Sequence, residues 1–124
     1  MASTTIADII DHQDIAHLPG NCSIRDAGRY MVEHGVGSVL VIDDNKLRGI
    51  FTERDALRIF VATRRNADHT NVEDVMTENP VTLTPDSTRD DALKAMDDGN
   101  FRHLPVIDDK GNVLGVVSQR DLIS

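Results

Sequence analysis

The stretch GIFTERD, Gly49 to Asp55, returns sixty-six residues later as GVVSQRD, Gly115 to Asp121. Each copy reads Gly, two apolar residues, a hydroxyl, two polar residues ending in Arg, and Asp. Apolar residues after a Gly suit the end of a buried strand. A hydroxyl followed three residues on by an acid, just before Ala56-Leu57 or Leu122-Ile123, suits a helix start. The heptapeptide therefore predicts a strand running straight into a helix. The first N–H groups of that helix would lie beside a hydroxyl, a carboxylate and a guanidinium.

The matches extend outward from the heptapeptide. A shift of 65 residues lays Asp26-Ala27 on Asp91-Ala92, Met31 on Met96, and Val41-Ile42-Asp43-Asp44 on Val106-Ile107-Asp108-Asp109. One extra residue in the second turn then brings Gly49 onto Gly115. Matches in the same order, with a single shift, mark an internal duplication. The boundaries expected for the two copies are 6–66 and 72–124.

The first copy opens with a helical turn at Ile6 to Ile10, followed by a short strand at Ile15 to Leu18. Ser23 and Asp26 predict the start of a helix running to about His34, with Ile24, Ala27, Tyr30 and Met31 toward the core. Gly28 inside that helix costs about 1 kcal/mol against Ala and is read as a mark of close packing. Gly35 and Gly37 end the helix. Val39 to Ile42 and Leu47 to Phe51 read as strands joined at Asp43 to Lys46. A helix from Glu53 carries Leu57, Ile59, Phe60 and Val61 and ends in Arg64-Arg65. Asn66 to Asn71 reads as a polar link.

The second copy repeats the plan. Val72 to Met76 is a helical turn, broken at Glu78-Asn79-Pro80, and Val81 to Leu83 is a short strand. Thr88 to Asp98 is a helix with Gly99 as its C-cap. Leu104 to Ile107 and Val113 to Val117 are strands, and Pro105 belongs at an edge or strand start because it has no N–H. Asp121 to Ser124 opens the last helix. The expected class is α/β (α+β), two tandem β-α-β-β-α repeats about a pseudo-twofold axis. A repeat of this size has a marginal core alone, so the two are expected to pack together and leave a cleft.

Composition narrows the function. The net charge of -8 argues against general binding to nucleic acid or anionic membranes. Phe51, Phe60, Phe101 and Tyr30 are the whole aromatic complement, too few for stacking platforms. No apolar run approaches a membrane span. Met1 to Thr5 has neither a charged nor an apolar leader region, so a cytoplasmic protein is expected. Cys22 is alone and reads as a small hydrophobe. His12, His17, His34, His69 and His103 lack metal-ligand spacing, and no nucleophile–base arrangement is present, so neither a metal site nor an enzyme is expected.

Together with VMTENPVTLTPDST (Val75 to Thr88) and FRHLPVID (Phe101 to Asp108), the two heptapeptides resemble a tandem pair of CBS (cystathionine-β-synthase) domains, a Bateman module of the stand-alone prokaryotic kind. The resemblance covers Ile6 to Ile123. It implies a non-catalytic, energy-sensing regulatory module that binds AMP, ADP or ATP, or else NAD or S-adenosylmethionine, in the cleft between repeats. A homodimer and a regulated protein partner are further implications. The family's ribose-binding hydroxyl and acid fall on Thr52 and Asp55, and on Ser118 and Asp121. Its adenine-lining backbone falls on Asn79, Pro80 and Val81 and on His103, Leu104 and Pro105. Arg54, Arg102, His103 and Arg120 are the phosphate candidates. The first copy departs from the pattern, with Leu40 in the place of Pro105 and His12 to Ile15 in the place of Thr77 to Pro80.

The same residues carry plainer readings. A Thr-x-x-Asp box stabilises a helix start by about 1 kcal/mol with no ligand, and an Arg beside an acid is commonly a surface ion pair. An ionised carboxylate also suits a ribose diol, and a guanidinium suits phosphate. The alternative function is a ligand-independent interaction module, dimerising through an apolar helix face such as Leu57, Phe60 and Val61.

Overall fold

The computed structural model describes residues 5–11 and 13–123. The leader reading of Met1 to Thr4, the His12 substitution in the first copy and the final position of the last helix, Ser124, lie outside the described residues. The chain is a mixed α+β protein that forms two compact units. One is continuous, Ala16–Asn79; the other is discontinuous and combines the segment up to Ile15 with the segment from Pro80 onward. The compact units are thus offset from the sequence repeats. The opening helix of the first copy belongs with the second copy, and the opening of the second copy belongs with the first.

The continuous unit is built on a four-stranded sheet in the order β1 (His17–Leu18), β2 (Ser38–Asp43), β3 (Lys46–Thr52), β4 (Thr77–Glu78). β1 runs parallel to β2, and the other pairs are antiparallel. The β2–β3 hairpin turns through Asp44 and Asn45, both at positive φ, as a two-residue hairpin turn requires. α2 (Ile24–His34) follows β1, and α3 (Glu53–Ala62) leaves β3 directly. Ile24, Ala27 and Met31 pack with Val39, Val41, Phe51, Ile59 and Val72 in one apolar cluster. Phe51 is fully buried, a contribution of about 3 kcal/mol at most from apolar area alone.

The discontinuous unit holds α1 (Ile6–Ile10), α4 (Arg89–Gly99), the antiparallel pair β5 (His103–Ile107) and β6 (Val113–Ser118), and α5 (Gln119–Ile123). α1 docks through Ile6 and Ile10 against Leu83, Met96, Leu104, Val117 and Leu122. Its backbone is tied in as well, with Ile6 N–H donating to the Ser87 carbonyl and Ala7 N–H to the Pro85 carbonyl, both at 3.0 Å. Gln13 then closes the exposed edge of β6 with its side chain.

The glycine that opens each heptapeptide has one job in both units. A Cβ on Gly49 would collide with Met76 and the Thr77 carbonyl, and a Cβ on Gly115 would collide with Gln13 and Ile10. Each glycine is therefore the place where the segment opening the other sequence copy lies directly on the hairpin.

Several sequence expectations are corrected. The Ile15 to Leu18 strand is confined to His17–Leu18, and Val81 to Leu83 makes only a single bridge, Leu83 with Val106. β4 was not expected; it takes Thr77 and Glu78, between the expected helical turn and the rest of its expected breaker. α3 ends at Ala62, with Thr63 as an extended C-cap, so Arg64-Arg65 lies beyond the helix. α4 runs through Gly99, and Asn100 (φ 57°) is its C-cap. A Cβ on Gly28 meets nothing within 4 Å, so close packing does not explain that glycine. Asn66 to Asn71 is no loose link: the Ala67 and Thr70 carbonyls accept from the first N–H groups of α2, and Arg25 pairs with Asp68. Tyr30 does pack against the core cluster as expected, though only partly buried, and it also stacks on His34 at 3.9 Å.

Candidate functional site

The two strand-to-helix junctions are built on the same plan. In the continuous unit Ser38 lies opposite Thr52 across the hairpin, and in the discontinuous unit His103 lies opposite Ser118. Both hairpins carry a register shift at equivalent points, between Val41 and Ile42 and between Val106 and Ile107. The parallel partner is also equivalent, Leu18 with Val41 and Leu83 with Val106. At the helix start, Glu53 N–H donates to the Gly37 carbonyl at 3.0 Å, and Gln119 N–H donates to the Arg102 carbonyl at 2.8 Å.

Hydroxyl and acid form a reciprocal box at each junction. Thr52 N–H donates to Asp55 Oδ2 at 3.0 Å, and Asp55 N–H donates to Thr52 Oγ1 at 3.1 Å. Ser118 N–H donates to Asp121 Oδ2 at 2.8 Å, and Asp121 N–H donates to Ser118 Oγ at 3.2 Å. The capping reading of these residues is therefore correct as a structural fact. It leaves room for a ligand only where carboxylate and hydroxyl keep further bonding capacity, since each oxygen has more than one lone pair.

On that point the copies differ. Asp55 is buried, and its Oδ1 accepts from Arg58 Nη2 at 3.1 Å. Asp121 is exposed. Asp55 thus pairs with Arg58, and the helical i,i+3 spacing of the two was the sequence signal for it. Arg54, Arg102 and Arg120 are exposed and His103 is half-buried on β5.

The expected adenine-lining residues divide between the units. Asn79 ends the continuous unit at positive φ (47°), with its N–H on the Arg48 carbonyl at 3.3 Å. Pro80, half-buried, and Val81, 48% exposed, open the second segment of the discontinuous unit, which also holds buried Leu104 and Pro105. Leu40 N–H donates to the Ala16 carbonyl at 2.9 Å. Pro105, at the equivalent place, has no N–H to give, so β5 lacks this bond to the segment beside it. The Leu83 N–H still reaches the Pro105 carbonyl at 2.9 Å.

A depression of about 540 Å³ lies at the opposite end of the β2–β3 hairpin, lined by Asn21, Asp43, Asp44, Lys46, Arg48 and Glu73. Arg48 bridges Asp43 at 2.6 Å and Glu73 at 3.1 Å, and Gly20 N–H donates to Asp43. Its hydrogen bond to Arg48 holds the Asp43 carboxyl below its ordinary range, and the Gly20 bond adds to that. Burial pushes the Cys22 thiol up, and Asp26 adds to the shift, which disfavours a reactive thiolate. Among the described residues no helix is long and apolar enough to cross a membrane.

Comparison with known proteins places this geometry. The family model for the CBS domain matches residues 5–62 and 72–124. A mitochondrial CBS domain-containing protein of Arabidopsis thaliana, CBSX3, is 39% identical over 98% of this chain and 64% of its own length. The chain spans between 61% and 64% of the length of this and two archaeal relatives, from Methanopyrus kandleri and Acidianus ambivalens. Among solved structures, a CBS-domain protein of Agrobacterium tumefaciens superposes with a TM-score of 0.89 at 32% identity, covering 97% of both chains. The CBS domain pair of protein MJ0100, solved with 5'-methylthioadenosine and S-adenosyl-L-methionine, superposes with a TM-score of 0.85 at 27% identity, covering 98% of this chain and 94% of that one.

Proposed function

The chain belongs to the CBS domain family, and from that membership we propose that it is a regulatory module that binds an adenosine-containing ligand, an adenine nucleotide foremost. One observation carries the reading: the same strand-to-helix junction is built twice, with equivalent register, bulge and hydroxyl–carboxylate box. A helix cap alone needs no such agreement in the strands beside it. The ligands of the MJ0100 pair, at 27% identity, are both adenosyl compounds. A ribose diol presents two O–H donors, which a carboxylate accepts.

Asp121 with Ser118 is the favoured ribose contact, because Asp121 is exposed. His103, Leu104, Pro105, Pro80 and Val81 belong to the same unit and supply the surroundings of the base. Arg102 and Arg120 are its exposed guanidinium groups for a phosphate. Thr52, Arg54, Asp55 and Asn79 form the corresponding set in the continuous unit. AMP, ADP and ATP would compete for one position, so occupancy would follow their ratio. The ligand acts on a protein partner only through unequal affinity for two states of the module.

Equilibrium dialysis of nucleotide-free protein against adenosine, AMP, ADP, ATP, NAD and S-adenosylmethionine tests the reading. At least one compound should be retained, and Asp121→Asn should weaken it at least tenfold. A panel with no retention, or affinity unchanged in the Asp55→Asn/Asp121→Asn chain, sinks the assignment.

A second reading has its own observation. Leu57, Phe60 and Val61 on α3 are 64%, 50% and 75% exposed, an apolar face on one helix. We propose a second copy of the chain as its occupant. Sedimentation that shows a monomer at every concentration would remove this reading.

A further inference from the structure

We infer that Arg58 occupies the ribose position of the first copy, so that the two repeats bind their ligand unequally. The inference rests on the adenosine-binding reading above and concerns the regulation of one of its two positions. Both oxygens of the Asp55 carboxylate are engaged within the chain: Oδ2 by Thr52 N–H at 3.0 Å and Oδ1 by Arg58 Nη2 at 3.1 Å. The Asp55 side chain is 10% exposed while that of Arg58 is 64% exposed. The acid is thus withdrawn from solvent while its guanidinium partner remains in it. A guanidinium offers N–H donors to a carboxylate in the way a ribose diol offers O–H donors. The two groups are competitors for one acceptor.

The duplicated sequence supplies the control. Asp121 makes the same bond to its own hydroxyl residue, Ser118 N–H to Oδ2 at 2.8 Å. Three residues beyond Asp121 the chain has Ser124, where the first copy has Arg58. The second copy therefore carries no cation at that spacing, and its acid is exposed. Arg58 is exposed and one turn from its partner, so it is displaceable: an exposed pair of this kind amounts to about two- to fivefold in an equilibrium. The second copy fills first, and the first copy fills only when the ligand strips Arg58 from Asp55.

Calorimetric titration with adenosine and with AMP tests this in four chains. These are the wild type, Asp121→Asn, and Asp121→Asn combined with Arg58→Ala or with Arg58→Lys. Asp121→Asn leaves the first copy as the position under observation. Adenosine has no phosphate, so loss of a nearby cation does not weaken it by charge alone. Removing Arg58 should tighten adenosine at the first copy by about two- to fivefold, and Arg58→Lys should reverse most of that gain. Alanine is the best helix former, so the exposed helical position tolerates the change. Adenosine affinity unchanged or weakened by Arg58→Ala overturns the inference, and a loss confined to AMP makes Arg58 a phosphate contact instead. Wild-type binding with no response to Arg58 overturns this inference alone. No binding of adenosine or AMP in any of the four chains overturns this inference, and the six-compound dialysis decides the adenosine reading separately.

Discussion

Gln13 holds the Val116 backbone by both ends of its amide, Nε2 on the carbonyl at 2.9 Å and Oε1 on the N–H at 2.7 Å. The side chain does at β6 what the backbone of β4 does at β3, where Thr77 pairs with Ile50. An open sheet edge is thereby closed without a strand. Gln13→Ala should cost about 1–2 kcal/mol, the net worth of two hydrogen bonds. Urea unfolding measures it, and a midpoint equal to that of the wild type would show that the amide pairing carries no stability.

Two helical glycines should respond with opposite signs. Gly28 faces open space, so Gly28→Ala should stabilise by about 0.4–1 kcal/mol through the unfolded chain and helix propensity. A Cβ on Gly99 would overlap the Phe101 ring, so Gly99→Ala should destabilise by about 1 kcal/mol or more. Thermal midpoints that move in the same direction for both would contradict the packing described for Phe101.

Two caps of the discontinuous unit separate structure from binding. Thr88 caps α4 through Asp91 N–H at 3.0 Å, and Ser118 caps α5 through Asp121 N–H at 3.2 Å. Thr88→Ala should cost about 1 kcal/mol of stability and leave ligand affinity alone. Ser118→Ala should lower both stability and affinity for the adenosine compound. Paired denaturation and dialysis on the two variants give the comparison.

Acid should weaken the fold through three carboxylates. The hydrogen bond from Arg48 lowers Asp43, the Thr88 backbone N–H lowers Asp91, and the Asn112 side chain lowers Asp108, each from 3.8. A carboxyl that titrates lower in the folded state contributes fully above the unfolded value, and the contribution vanishes as pH falls through the folded value. Unfolding midpoints should therefore be level above about pH 5 and fall below about pH 4. Asp43→Asn should lower the plateau and shallow the acid limb, and an unchanged limb would count against Arg48 as the cause.

What the sequence made legible was whatever rests on local chemistry. Thr52, Thr88 and Ser23 cap the expected helices because a side-chain hydroxyl reaches an N–H three residues away, a bond that depends on spacing alone. The likeness of the two strand-to-helix junctions followed from the repeat, whereas their cross-strand register did not. What stayed hidden depends on distant partners. β4 exists because Gly49 leaves space beside β3, and nothing within Thr77-Glu78 announces that. The pairing of α1 with the second copy is likewise a matter of which apolar face accepts Ile6 and Ile10. In the site, Thr52, Asp55, Ser118 and Asp121 were legible as paired junction residues, whereas the weight of Arg58 became visible only with the burial of Asp55.

The discontinuous unit also imposes an order of assembly. Gln13 bonds to a residue 103 positions later, so the opening helix leaves the ribosome long before its seat exists. The continuous unit, all between Ala16 and Asn79, has its complete set of partners first and can form while the rest is being made. The early helix must then wait as a short apolar segment until β6 is synthesised, and docking over so long a separation carries a high loop-closure cost. A brief interval of exposed Ile6 and Ile10 on the nascent chain is thus written into the connectivity of the fold.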